Sequence, residues 1–103
     1  MIHVIAIITA KPGQREKILE AARANLANVR AEDGCIEYNI ALDAEDIGPF
    51  QAKLGADTFV FVEKWRDANA LKAHAAAPHM KEYGGKIKDF VASRTIHVLS
   101  PAA

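Results

Sequence analysis

The run from Ile2 to Thr9 constrains this chain more than any other segment. In a strand, Ile2, Val4, Ala6 and Ile8 point to one side and Ile5 and Ile7 to the other. Both faces are greasy, so both must be covered. Lys11-Pro12-Gly13 ends the run, because proline offers no amide donor and glycine opens turn conformations closed to a strand. The stretch is too short to span a bilayer and has no positively charged leader ahead of it, so it reads as a first strand and not as a membrane or export segment. A second run, Phe59 to Trp65, is richer still in aromatic and β-branched residues, with Val60 and Val62 opposing Phe59 and Phe61.

The segments around these runs follow from their spacing. From Gln14 to Arg30, Ile18, Ala22, Leu26 and Val29 recur at helical intervals, with Arg15, Glu16, Glu20 and Arg23 on the opposite side. Glu32-Asp33-Gly34 stops that helix, and Cys35 to Leu42 then alternates Ile36, Tyr38, Ile40 and Leu42 against Cys35, Glu37, Asn39 and Ala41 as a strand. Asp43 to Asp57 has no usable period and reads as a long loop. Asp67 caps a second helix with Leu71, His74 and Ala75 on its apolar side, until Pro78 interrupts it. A further helical stretch begins near His79, with Met80, Tyr83, Ile87, Phe90 and Val91 on one side and Gly84-Gly85 weakening its middle. Thr95 to Leu99 reads as the last strand.

The order β-α-β-β-α-β, with no internal repeat, predicts one α+β domain over residues 1–103. Its expected form is a ferredoxin-like βαββαβ antiparallel sheet with helices on one face. Helices cover one face only, so the second greasy face is predicted to pack on the same face of another copy, giving an isologous homodimer.

Composition removes several function classes. The 13 Lys and Arg residues balance 13 Asp and Glu and interleave with them along the chain, which leaves no basic footprint for a nucleic acid. The single Cys35 excludes an intramolecular disulfide and a thiolate zinc cluster, and it fits a reducing, cytoplasmic setting. There is no phosphate loop, dinucleotide fingerprint or nucleophile elbow.

What remains for chemistry is a short set of side chains. Phe59, Phe61, Glu63 and Trp65 share one strand face, so a carboxylate stands in line with three large aromatics. Two readings stay open: Glu63 pairs with Arg66 or Lys64 at the sheet rim while Trp65 is core, or the aromatics form the wall of a small-molecule pocket. His74 lies on the apolar side of its helix, aimed at the sheet, either as a core histidine satisfied by a hydrogen bond or as a neutral base for an aromatic hydroxyl. His79, directly after Pro78, ranks below it. His3 and His97 are expected cross-strand neighbours without a fixed carboxylate or thiolate, so no metal site is expected. Cys35 carries no activating feature, and Tyr38, Tyr83 and Arg94 are polar groups able to bond a ligand or to serve the fold.

At Phe59-Val60-Phe61-Val62-Glu63-Lys64-Trp65, followed by Ala70-Leu71-Lys72-Ala73-His74 and Pro78-His79-Met80, the chain closely resembles the antibiotic biosynthesis monooxygenase (ABM) domain family. Gly34-Cys35-Ile36-Glu37-Tyr38 resembles the start of that family's second strand, and Ala10-Lys11-Pro12-Gly13 its turn into the first helix. The resemblance runs nearly end to end. It implies a dimeric α+β barrel in which the two sheets face each other, with a pocket between sheet and helices in each subunit. The family includes cofactor-independent monooxygenases of hydroquinones and polycyclic phenols, heme-degrading enzymes and signal-molecule isomerases, so fold membership leaves the reaction open. Trp65 and His74 match pocket-lining positions, and His79 is carried over with them. The heme-degrading branch has an asparagine on its first strand and a heme-ligating histidine that would fall near Tyr83-Gly84, and neither is found here.

The resulting expectation is a cofactor-independent monooxygenase that oxidises a small quinol or phenolic compound with molecular oxygen. His74 would take the phenolic proton, and Trp65, His79, Phe59, Phe61 and Tyr83 would hold the aromatic substrate. No metal or flavin is needed, because the substrate is itself the reductant. The alternatives are a small-metabolite isomerase of the same fold and a non-catalytic dimeric ligand-binding or stress-response module.

Overall fold

In the computed structural model, which describes residues 1–103, the two apolar runs become the central strands of one sheet. β1 (Ile2–Ala10) pairs antiparallel with β3 (Thr58–Trp65) on one side and β4 (Val91–Leu99) on the other, and β2 (Cys35–Ala41) completes the order β2-β3-β1-β4. Three helices, α1 (Arg15–Arg30), α2 (Ala68–Ala76) and α3 (Pro78–Ile87), fill the two crossovers. This is the ferredoxin-like arrangement read from the element order, with the second crossover split in two. Pro78 explains the split. It ends α2 because the residue before it, Ala77, is pushed to extended backbone, and it opens α3 because the first turn of a helix has no use for its missing amide.

Register decides what faces the helices. Val4 lies opposite Glu63, Ala6 opposite Phe61 and Ile8 opposite Phe59, and all six are buried. The five apolar ones pack with Ile18, Leu19, Ala22 and Val29 of α1, Ala70 of α2 and Tyr83 and Ile87 of α3 in a single core. The other face carries Ile5, Ile7, Val60 and Val62, all half-buried in the single chain. It is flanked by the Lys64–Glu37 ion pair at 3.1 Å. His3 and His97 also sit there as diagonal neighbours, since Leu99 is the residue opposite His3 and Ile5 the residue opposite His97.

Three local expectations are corrected. β4 begins at Val91, not Thr95, and Val91 therefore belongs to no helix. Ala92-Ser93-Arg94 has no apolar alternation because β4 is an exposed edge strand, held by backbone pairing with β1. On β2 a bulge between Cys35 and Glu37 turns Ile36 outward, leaving it 55% exposed, and puts Cys35 opposite Trp65. That strand also stops at Ala41, one residue short of Leu42. The long loop is present as read: residues 42–57 form no regular element. The Asp43 carboxylate closes it by accepting from the amides of Leu54 at 2.8 Å and Gly55 at 2.9 Å, bonds that hold this carboxyl below the usual carboxylate range.

Gly34 ties the end of α1 to β3 and α2. Its φ of +85° suits glycine, its carbonyl accepts from the Arg66 amide at 2.8 Å, and an added Cβ would stand 2.6 Å from the Ala70 Cβ. We expect Gly34→Ala to cost on the order of 1–3 kcal/mol through backbone strain and overlap together. Urea unfolding measures this, and an unchanged midpoint would show that neither constraint operates.

Candidate active site

Five segments bring polar side chains into the apolar layer between sheet and helices. β3 contributes Trp65, fully buried, whose indole Nε1 donates to Glu63 Oε1 at 2.8 Å. Residues two apart on a strand share a face, so this pair is local to β3. The expected pairing of Glu63 with Arg66 or Lys64 does not occur. Arg66 binds Asp33 and Asp67, and Lys64 points to the opposite face toward Glu37. Glu63 is instead 5% exposed, and burial pushes its carboxyl above the usual range, partly offset by the Trp65 bond and by His74.

α2 contributes His74. The Asp67 side chain caps this helix by accepting from the Ala70 amide at 2.8 Å, and the resulting phase turns His74 inward. Its ring lies 4.6 Å from Trp65 and 5.5 Å from Tyr38, centroid to centroid. Its Nδ1 sits 2.7 Å from Glu32 Oε2, while Nε2 enters no hydrogen bond in the chain. The Nδ1 contact is the hydrogen bond expected of a core histidine. Glu32, in the turn just after α1, was read from the sequence only as part of a helix stop. Its role is invisible there because the contact joins residues 42 apart.

α3 contributes His79 in its first turn and Tyr83 one turn later, on the same side of the helix. His79 Nε2 lies 3.2 Å from the same Glu32 oxygen, and its Nδ1 lies 3.2 Å from Asn25 Nδ2. The Tyr83 hydroxyl is buried without a partner, and burial pushes it up to about 12. Tyr38, from β2, is buried beside Trp65 and Phe61, and burial drives its hydroxyl well above the ordinary tyrosine range. Both phenols thus stay protonated donors.

Of the residues singled out in the sequence, His74 and His79 meet at Glu32, Trp65 stacks on His74, and Phe61 joins through Tyr38 at 5.2 Å. Phe59 stands one step back, edge-on to Phe61 at 5.3 Å. The Trp65–His74 stack admits no ring between the two. A surface groove between α1 and α3, lined by Asn25, Asn28, His79 and Tyr83 among others, reaches the His79 end of the cluster. Cys35 is half-buried, and burial together with the Glu32 charge pushes its thiol up, away from thiolate chemistry. No group of three or more His, Cys, Asp or Glu side chains is arranged to hold a metal ion, and no helix is long and apolar enough to cross a membrane.

The buried carboxyl gives a signed pH effect. The folded protein holds Glu63 above its unfolded value, so the stability it contributes is present at low pH and is lost as pH rises through the folded value. Glu63→Gln keeps an acceptor for the indole and removes the charge. We expect it to be more stable than wild type at neutral pH, with the gap closing on acidification; urea midpoints across pH measure this, and a gap that widens toward acid would contradict it.

Known proteins share the family pattern and the fold. The antibiotic biosynthesis monooxygenase family model matches residues 1–86. The Bacillus subtilis protein named "Putative monooxygenase YcnE" is 32% identical over 93 residues, covering 90% of this chain and 88% of that protein. The crystal structure of PA3566 from Pseudomonas aeruginosa superposes with a TM-score of 0.81 at 30% identity, covering 99% of this chain and 94% of the other. That of Rv0793 from Mycobacterium tuberculosis does so with a TM-score of 0.81 at 25% identity, covering 99% and 95%. With the family model spanning residues 1–86, this chain belongs to the antibiotic biosynthesis monooxygenase family.

Proposed function

We propose that the protein is a cofactor-independent monooxygenase that oxidises a small quinol or phenol with molecular oxygen. The observation that carries this reading is His74, whose Nδ1 is tied to Glu32 at 2.7 Å while its Nε2 is left unclaimed inside an aromatic cage. Nε2 takes the phenolic proton, and the electron-rich phenolate passes one electron to oxygen. The ring radical and superoxide then join at a ring carbon. A proton returned from His74 and loss of the ring C–H proton let the O–O bond break. One oxygen atom remains as a new quinone carbonyl and the other leaves as water, so a phenol and O2 give a quinone and water with all electrons drawn from the substrate. The apolar walls of Trp65 and Phe61, backed by Phe59, keep bulk water from the intermediates. The unpartnered Tyr83 hydroxyl supplies a donor for a substrate oxygen, and His79 flanks the approach.

Oxygen uptake by the purified protein across a panel of quinols and phenols tests the reading. We expect uptake above autoxidation, unaffected by metal chelation and reduced on the order of 10²- to 10⁴-fold in His74→Ala. Absence of uptake across the panel would overturn it. The closeness of the Trp65–His74 stack favours one other reading, a dimeric binding module whose cavity is filled by its own side chains. Ligand binding without oxygen consumption would identify that case.

The working unit in this proposal is a homodimer joined through the open sheet face, with Ile5, Ile7, Val60 and Val62 at its centre. Light scattering is expected to give twice the chain mass, and Val62→Glu to give a monomer that keeps its helical circular dichroism. A monomeric wild type would remove the dimer from the proposal.

A further inference from the structure

We propose that Glu63, as a neutral carboxylic acid, and the Tyr38 hydroxyl beside it are paired donors for a substrate phenolate oxygen, which makes both of them catalytic residues alongside His74. The proposal rests on the monooxygenase reading, which is what calls for a phenolate, and its first test needs no oxygen.

The sheet places the two groups side by side. Tyr38 on β2 is the residue directly opposite Glu63 on β3, so both point to the helical side with their Cβ atoms about 4.5–5.5 Å apart. They are 4% and 5% exposed, and no hydrogen bond joins them. Trp65 donates to Glu63 Oε1 at 2.8 Å, the Tyr38 ring lies 6.5 Å from Trp65 and 5.5 Å from His74, and His74 stacks on Trp65 at 4.6 Å. Glu63, Tyr38 and His74 therefore border one indole.

The protonation of Glu63 follows from what it lacks. A buried carboxylate needs a positive partner or several donors, and this one has a single neutral N–H. Lys64 and Arg66 are committed to Glu37, Asp33 and Asp67. The titratable groups around the pair are Cys35 from β2, Glu32 after α1, His74 from α2 and Tyr83 from α3, while β1 presents only Val4. Of these only His74 can carry a positive charge, and its Nδ1 is turned to Glu32. The indole occupies Oε1, so the acid proton sits on Oε2. Tyr38 is held as a donor too. Burial keeps its hydroxyl protonated, and that hydroxyl enters no hydrogen bond of the chain, although the backbone carbonyl of the same residue accepts from Arg30 at 2.9 and 3.1 Å.

His74 and the pair then take opposite roles. Nδ1 of His74 faces an acceptor-only carboxylate, so its proton sits there and Nε2 offers a lone pair. When a phenol enters, its O–H bond breaks, the proton passes to Nε2 and the electron pair stays on the oxygen. Two neutral donors meet that oxygen in apolar surroundings, where such bonds are strongest. An ionised Glu63 would repel it.

4-Nitrophenol under argon tests this, because its absorbance distinguishes phenol from phenolate. We expect the wild type to bind it as the phenolate at a pH where the free compound is mostly protonated. Tyr38→Phe, which keeps the ring packing, is expected to weaken that binding on the order of 10- to 100-fold, and Glu63→Gln by a smaller factor, because an amide still donates. Tighter binding in Glu63→Gln would mean that a carboxylate had been repelling the phenolate, and would overturn the proposal. Infrared difference spectra of wild type against Glu63→Gln are expected to show a protonated carboxyl band at neutral pH. Its absence overturns the proposal, as do a probe that fails to bind or stays neutral and unchanged binding in Tyr38→Phe. Where oxygen uptake is measurable, both variants are expected to lower kcat; normal uptake in both overturns the donor pair and leaves the monooxygenase reading standing. Phenolate binding as stated, in a protein that consumes no oxygen, upholds the pair and overturns the monooxygenase reading alone.

Discussion

The antiparallel pairing of β1 with β3 sets which side chains can meet the helices at all. With Val4 opposite Glu63 and Ile8 opposite Phe59, the row Phe59, Phe61, Glu63 and Trp65 falls on the helical side. A slip of one residue would swing the whole row to the open face and bring Val60 and Val62 inward. No helix could then reach Trp65, and His74 would have nothing to stack on. The register is held by the two-sided apolar character of β1, whose Val4, Ala6 and Ile8 need the covered side as much as Ile5 and Ile7 need a second cover.

On that frame the site is assembled from groups that the core would not keep for stability. A buried carboxyl at Glu63 and an unpartnered hydroxyl at Tyr83 both carry desolvation costs, the latter on the order of 1–3 kcal/mol. The Trp65 indole offsets part of the first. Nothing within the chain offsets the second. Polar groups retained at such a cost, clustered around an imidazole with one free nitrogen, are the arrangement expected where chemistry is placed inside a small fold. The family shares the fold, and the fold leaves the reaction to the side chains that line this layer.

The chain carried most of the fold openly. The alternation on β3, the cap at Asp67 and the break at Pro78 are local signals, and each appears in the structure where local chemistry puts it. The inward face of His74 was legible for the same reason, since three-residue spacing from Leu71 marks one helical side. The departures have nonlocal causes. β4 extends back to Val91 because β1 offers backbone partners, and Ile36 turns out because β2 bulges to fit β3. Glu63 looked like a rim carboxylate because Lys64 and Arg66 flank it in sequence, yet strand geometry sends Lys64 to the other face and Asp33 captures Arg66.

What the sequence by itself determined was periodicity: which segments form strands and helices, and which of their sides are apolar. Those properties depend on residues a few positions apart. Only the tertiary structure decided that the carboxylate after α1 would stand between the histidines of α2 and α3, with an asparagine of α1 hydrogen-bonded to the second of them. Hydrogen bonds of a few ångströms between residues 42 and 54 positions apart depend on how three helices settle on one sheet. No spacing along the chain encodes that.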